Sequence, residues 1–65
     1  MVISLVKWMV EEGARVTPGQ LLCIVESEKA TQEIDAPEGG ILRRLKQEGE
    51  VIASPHDAPF RIEPG

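Results

Sequence analysis

The segment Glu26-Ser27-Glu28-Lys29-Ala30-Thr31 offers two kinds of chemistry. The first is acylation of a free amine: a lysine on a tight turn points its amine into water, where an enzyme can grip the turn and load it. The second is acid–base work by the paired carboxylates of Glu26 and Glu28. That work needs a cleft that raises one pKa and seats a substrate, and a turn supplies neither. Glu26, Ser27, Glu28 and Ala30 therefore read as the features by which a modifying enzyme recognises Lys29, the plain alternative being a solvated turn. Cys23 has no histidine near it in sequence and sits between Leu22 and Ile24, so it reads as a buried structural thiol rather than a nucleophile. His56 reads as a loop residue between Pro55 and Asp57.

A turn lysine is useful only if rigid elements hold the turn out. An apolar run, Leu21-Leu22-Cys23-Ile24-Val25, leads into the segment, and the alternating run Thr31-Gln32-Glu33-Ile34-Asp35-Ala36 leads out. These are strand patterns, and the short connection makes a hairpin with Lys29 at its tip. Turn residues recur at Glu12-Gly13, Thr17-Pro18-Gly19, Ala36-Pro37-Glu38-Gly39-Gly40, Glu48-Gly49, Ser54-Pro55-His56-Asp57 and Pro59. Strands are predicted over residues 2–11, 20–27, 30–36, 40–47 and 59–63, which makes the chain all-β. Lys7 and Lys46 fall inside these strands as surface charges. Trp8 is expected to pack the rim of the core.

The chain also repeats itself. Leu5-Val6-Lys7-Trp8-Met9-Val10-Glu11-Glu12-Gly13 lies on Ile41-Leu42-Arg43-Arg44-Leu45-Lys46-Gln47-Glu48-Gly49 without a gap. Two copies of a strand, glycine turn and strand imply a sandwich of two sheets with a pseudo-two-fold axis.

Size and charge exclude much else. A chain of 65 residues is read as one domain over residues 1–65, too small for the walls of an ordinary enzyme pocket. It buries only about 60 % of its unfolded surface. With one cysteine and one histidine, neither a disulfide nor a zinc site can staple it, so aliphatic packing must. The net charge of −4 and the scarcity of aromatic rings argue against nucleic acid. No apolar run approaches a membrane span, and Met1 to Val10 reads as a strand rather than a signal peptide.

Trp8 with Glu12-Gly13, Val16, Gly19, the strand Leu21 to Val25, Glu26 to Thr31, Ala36-Pro37, Gly40 and Glu48-Gly49 together resemble the lipoyl domains of 2-oxo acid dehydrogenase acyltransferases. The resemblance implies a flattened barrel of two short antiparallel sheets, with lipoate in amide linkage to Lys29 and no catalysis by the domain itself. It implies as partners a lipoylating enzyme, a thiamine-dependent decarboxylase, an acyltransferase and a dihydrolipoyl dehydrogenase. The cofactor holds the chemistry and the protein presents it. The compartment implied is the cytoplasm, or the mitochondrial matrix in a eukaryote.

Three features depart from the family pattern. Its first strand, ahead of the tryptophan-bearing one, has no counterpart before Met1, so the expectation is either a sheet that lacks an edge or an edge completed by a second copy of the chain. Glu28 stands where aspartate is usual. Ser54-Pro55-His56-Asp57 and Gln32 replace a glycine-bearing loop and an aliphatic residue. Two other readings use the same fold: a biotinyl carrier, whose lysine is usually bracketed by methionines rather than by Glu28 and Ala30, and an unmodified structural or adaptor domain.

Overall fold

Short alternating runs separated by glycine turns leave the backbone only sheet pairing to satisfy its polar groups. In the computed structural model, which describes residues 3–52 and 58–65, those residues form strands and no helix. The strands are β1 (Ile3–Trp8), β2 (Arg15–Val16), β3 (Leu21–Ser27), β4 (Thr31–Asp35), β5 (Gly40–Arg44), β6 (Val51–Ile52) and β7 (Phe60–Glu63). One sheet runs β4-β3-β1-β6 and the other β2-β5-β7, with every pair antiparallel. The molecule is elongated, 34 × 18 × 17 Å. This is the all-β, two-sheet architecture that the sequence predicts. The loop Ser54-Pro55-His56-Asp57, and with it His56, lies outside the described residues.

The differences are at strand ends. The strand predicted over 2–11 closes at Trp8, and the one predicted over 40–47 closes at Arg44. Lys46 is thus not in a strand; its carbonyl oxygen instead accepts the Trp8 indole N–H at 3.0 Å. β2 and β6 are each too short to show an alternation, which is why their sequence carries no strand signal. Pro59 falls just outside β7, having no N–H to give the ladder.

The predicted two-fold repeat is present in the backbone with one correction: the gapless match lays Leu5 on Ile41, but the extra residue Val6 shifts the register by one, so that Leu42 is the structural counterpart of Leu5. Leu5 donates its N–H to the Glu50 carbonyl at 2.9 Å and accepts from Gly49 at 2.7 Å. Its counterpart Leu42 donates to the Ala14 carbonyl at 2.9 Å and accepts from Gly13 at 2.8 Å. Each half therefore grips the glycine turn of the other. Both turns depend on left-handed backbone, with φ of 80° at Gly13 and 91° at Gly49. Leu5 and Leu42 are fully buried, each contributing about 1.5–3 kcal/mol in apolar burial. Leu22, Cys23, Val25, Val16, Ala36 and Trp8 complete the core.

The glutamates before those glycines act in the same crossed way. Glu48 accepts the Trp8 backbone N–H at 2.9 Å, and Glu12 accepts that of Arg44. Trp8 and Arg44 then face each other, the guanidinium 5.2 Å from the ring centroid, with the ring buried and the arginine half-buried, a contact worth about 0.5–2 kcal/mol. The halves differ where β1 bulges between Leu5 and Lys7 against β3. The extra residue, Val6, is left exposed.

Two outcomes follow from this packing. A Cβ on Gly40 would lie 2.2 Å from the Glu63 carbonyl oxygen and 2.8 Å from Ile62 Cγ2. Gly40→Ala is expected to lose more than about 3 kcal/mol in urea denaturation, because β5 and β7 must part to admit the methyl.

The second outcome concerns acid. The Arg44 backbone N–H, with help from Arg43, holds Glu12 below its ordinary pKa. Arg43, then Arg61, does the same for Glu63. A carboxylate depressed in the folded state adds stability above its ordinary pKa and loses it as pH falls through the depressed value. The urea midpoint should therefore fall between about pH 5 and pH 3. In Glu12→Gln it should start lower at neutral pH and fall less.

Candidate functional site

β3 is the most enclosed strand of its sheet, paired with β1 on one side and β4 on the other. Leu22, Cys23 and Val25 anchor it in the core. Its last residues and the first of β4 form the turn that carries Lys29. Glu26 lies opposite Thr31. The Ser27 N–H donates to the Ala30 carbonyl oxygen at 2.8 Å, and the Ser27 hydroxyl donates to the same oxygen at 3.3 Å. Ser27 and Ala30 thus close the hairpin, and Glu28 and Lys29 alone make the reversal.

No residue other than glycine has positive φ among the described residues, so this turn is built from ordinary backbone. The common two-residue hairpin turns need positive φ and hence Asn or Gly. Glu28-Lys29 avoids that requirement, which is why the sequence around Lys29 contains no glycine.

Lys29 is exposed, as are Glu26, Glu28 and Ala30, while Ser27 is half-buried. Among the described residues no hydrogen bond or ion pair engages Lys29. The fold thus brings the five residues singled out in the sequence to one end of the β3–β4 hairpin. Glu26 and Glu28 stand in solvent there, an arrangement without the desolvation that acid–base catalysis requires.

Cys23 is fully buried, and desolvation pushes its thiol up to about 11. It packs the core beneath the hairpin. The adjacent arginines 43 and 44 are both committed to structure: Arg43 bridges Glu63 at 2.9 Å and Glu12 at 3.3 Å, and Arg44 covers Trp8.

Sequence reading did not reveal a cavity of about 80 Å³ at the base of the hairpin, lined by Ile3, Val25, Ser27, Ala30 and Gln32. Its signal lay in the strand alternation once the β1–β3–β4 register is known.

Comparison with known proteins gives a family and relatives. The biotin/lipoyl family, described as biotin-requiring enzymes, matches residues 1–56. Component 2 of the mitochondrial dihydrolipoyllysine-residue acetyltransferase of the pyruvate dehydrogenase complex from Arabidopsis thaliana is 40% identical, over 77% of this chain and 11% of that protein. The corresponding acetyltransferase component of Rickettsia felis is 38% identical, over 65% of this chain and 10% of its own length. The mitochondrial pyruvate dehydrogenase complex protein X component of Chaetomium thermophilum is 39% identical, over 68% and 10% respectively. The chain spans about a tenth of the length of these relatives.

The environment of Cys23 sets its reactivity. With the thiol moved from 9.0 to about 11, the thiolate fraction at neutral pH drops about 100-fold. Maleimide labelling of the native protein should be at least that much slower than of protein unfolded in urea, as read by intact mass.

Proposed function

The chain belongs to the biotin/lipoyl family, and from that premise we propose that Lys29 carries lipoate in amide linkage and that the domain serves as a carrier. The single observation that supports this most directly is the placement of Lys29: an exposed amine, unpaired among the described residues, on a two-residue turn at the end of the most firmly anchored strand.

The chain's own residues do the positioning. Ser27 and Ala30 fix the turn through a shared carbonyl oxygen, so the Lys29 side chain leaves a defined backbone. The Lys29 amine, once deprotonated in the lipoylating enzyme, attacks the activated carboxyl of the cofactor; the activating group leaves and an amide remains. Glu26, Glu28, Ser27 and Ala30 are the surface that enzyme reads. When bound, lipoate supplies a dithiolane that accepts an acyl group together with reducing equivalents. The domain contributes tethering, which replaces a diffusing intermediate by one at high effective concentration.

We place the domain in a 2-oxo acid dehydrogenase complex of the pyruvate dehydrogenase kind, by analogy with the relatives' names. There it visits a thiamine-dependent decarboxylase, an acyltransferase and a dihydrolipoyl dehydrogenase, in the mitochondrial matrix or the bacterial cytoplasm. Glu28 and Ala30 beside Lys29, in place of methionines, favour lipoate over biotin.

Intact-mass analysis after incubation with a lipoate ligase, lipoate and ATP tests the reading. A lipoyl increment is expected on the wild type and none on Lys29→Arg. A biotinyl increment with biotin ligase, or an unmodified mass under both conditions, would sink it.

A further inference from the structure

Strand alternation puts an uncharged groove beside Lys29. Ser27 lies opposite Ile3, and Val25 opposite Gln32. Ser27 and Ala30 close the turn two residues beyond that second pair. Opposed residues, and residues two apart on a strand, share one face of a sheet. Val25 is 4% exposed and so defines that face as the inner one.

Ile3, Val25, Ser27, Ala30 and Gln32 thus lie on one face, buried at Val25 and opening to solvent at Ala30 and Gln32, and together they line the cavity at the hairpin base. Every lining residue comes from the sheet that carries Lys29 or from its turn; none belongs to β2, β5 or β7. Among the described residues, the hairpin therefore overhangs the second sheet and leaves part of its inner face uncovered.

We infer that this groove is a seat for the apolar ring at the end of the Lys29 arm, so that the carried group rests against the domain between visits to other active sites. The inference depends on lipoylation of Lys29 as proposed above. The occupant follows from chemistry and position. The lining has no charged side chain: Ile3, Val25 and Ala30 are aliphatic, while Ser27 and Gln32 are neutral and polar, which suits a neutral five-membered disulfide ring and the amide that follows it rather than an anion or a metal.

Ala30, at its rim, is covalently next to Lys29. A ring tethered there is present at far higher local concentration than any free ligand. The arm must fold back to reach the groove, which costs rotamer freedom, so the seated state exchanges with a free one rather than locking. Gln32 supplies a polar contact for the arm's amide: among the described residues no hydrogen bond engages its side chain. The other polar lining side chain, Ser27, is already engaged with the Ala30 carbonyl, so Gln32 is the one left to meet the arm.

The test compares the unmodified and lipoylated chain by methyl NMR, with loading verified by intact mass. Seating predicts shifts at the Ile3, Val25 and Ala30 methyls, and intramolecular nuclear Overhauser contacts from the ring to them. It also predicts slower reduction of the ring by a water-soluble phosphine than of free lipoamide, on the order of two- to threefold for a seat occupied half to two-thirds of the time. Gln32→Trp, on an exposed edge-strand position, fills the groove and should restore the rate of the free compound without lowering the lipoyl increment. A verified lipoyl mass with unmoved methyls and an unaltered reduction rate overturns the seat alone. Shifts that arise only when a partner enzyme is added overturn it too, since the groove then belongs to that partner. Absence of the lipoyl mass removes both this inference and the reading it rests on.

Discussion

The structure depends on a reciprocal backbone exchange: Leu5 with the turn at Gly49-Glu50, and Leu42 with the turn at Gly13-Ala14. Each leucine brings a fully buried side chain to the centre while its peptide group satisfies a turn from the opposite half. Burial and hydrogen bonding are therefore concentrated at the same two residues, so displacing either strand costs both. Each turn also carries a bond of its own, Ala14 N–H to the Glu11 carbonyl at 3.1 Å and Glu50 N–H to the Gln47 carbonyl at 3.0 Å, but its glycine N–H and the carbonyl after it are satisfied only from the opposite half. For a chain this small the coupling supplies cooperativity that many larger cores obtain from sheer buried area.

That constraint explains how a carrier hairpin is kept rigid without a large domain behind it. β3 is held by β1, which is held in turn by the crossed contacts of Leu5 and Trp8 with the second half. The tip inherits its orientation from the centre of the molecule. The edge strand β4, with Glu33 and Asp35 exposed, adds little apolar packing of its own. Its charges instead discourage pairing with a stranger's strand.

Much of this was legible in the residues. The apolar and alternating runs flanking Glu28-Lys29 located the hairpin, and the gapless match of the two Glu-Gly segments exposed the two-fold relation, because both are local patterns. What lay beyond reading was what depends on register. The bulge at Val6, the capping of strand ends by Glu12 and Glu48, and the pairing of Trp8 with Arg44 are set by contacts between residues far apart in sequence. Lys46 was misplaced for the same reason: its stretch alternates plausibly, but its carbonyl is taken by an indole from the other half. At the site, the turn residues were visible and the groove was not, since Ile3 joins it only through the pairing of β1 with β3.

The crossed exchange also bears on origin. Two half-length peptides, each with one central leucine and one Glu-Gly turn, would satisfy all four of these bonds as a symmetric dimer. Nothing in the geometry demands a covalent joint between them. What the segment from Ala36 to Gly39 adds is stoichiometry: it makes the encounter of the halves unimolecular, so that folding no longer varies with how dilute the protein is.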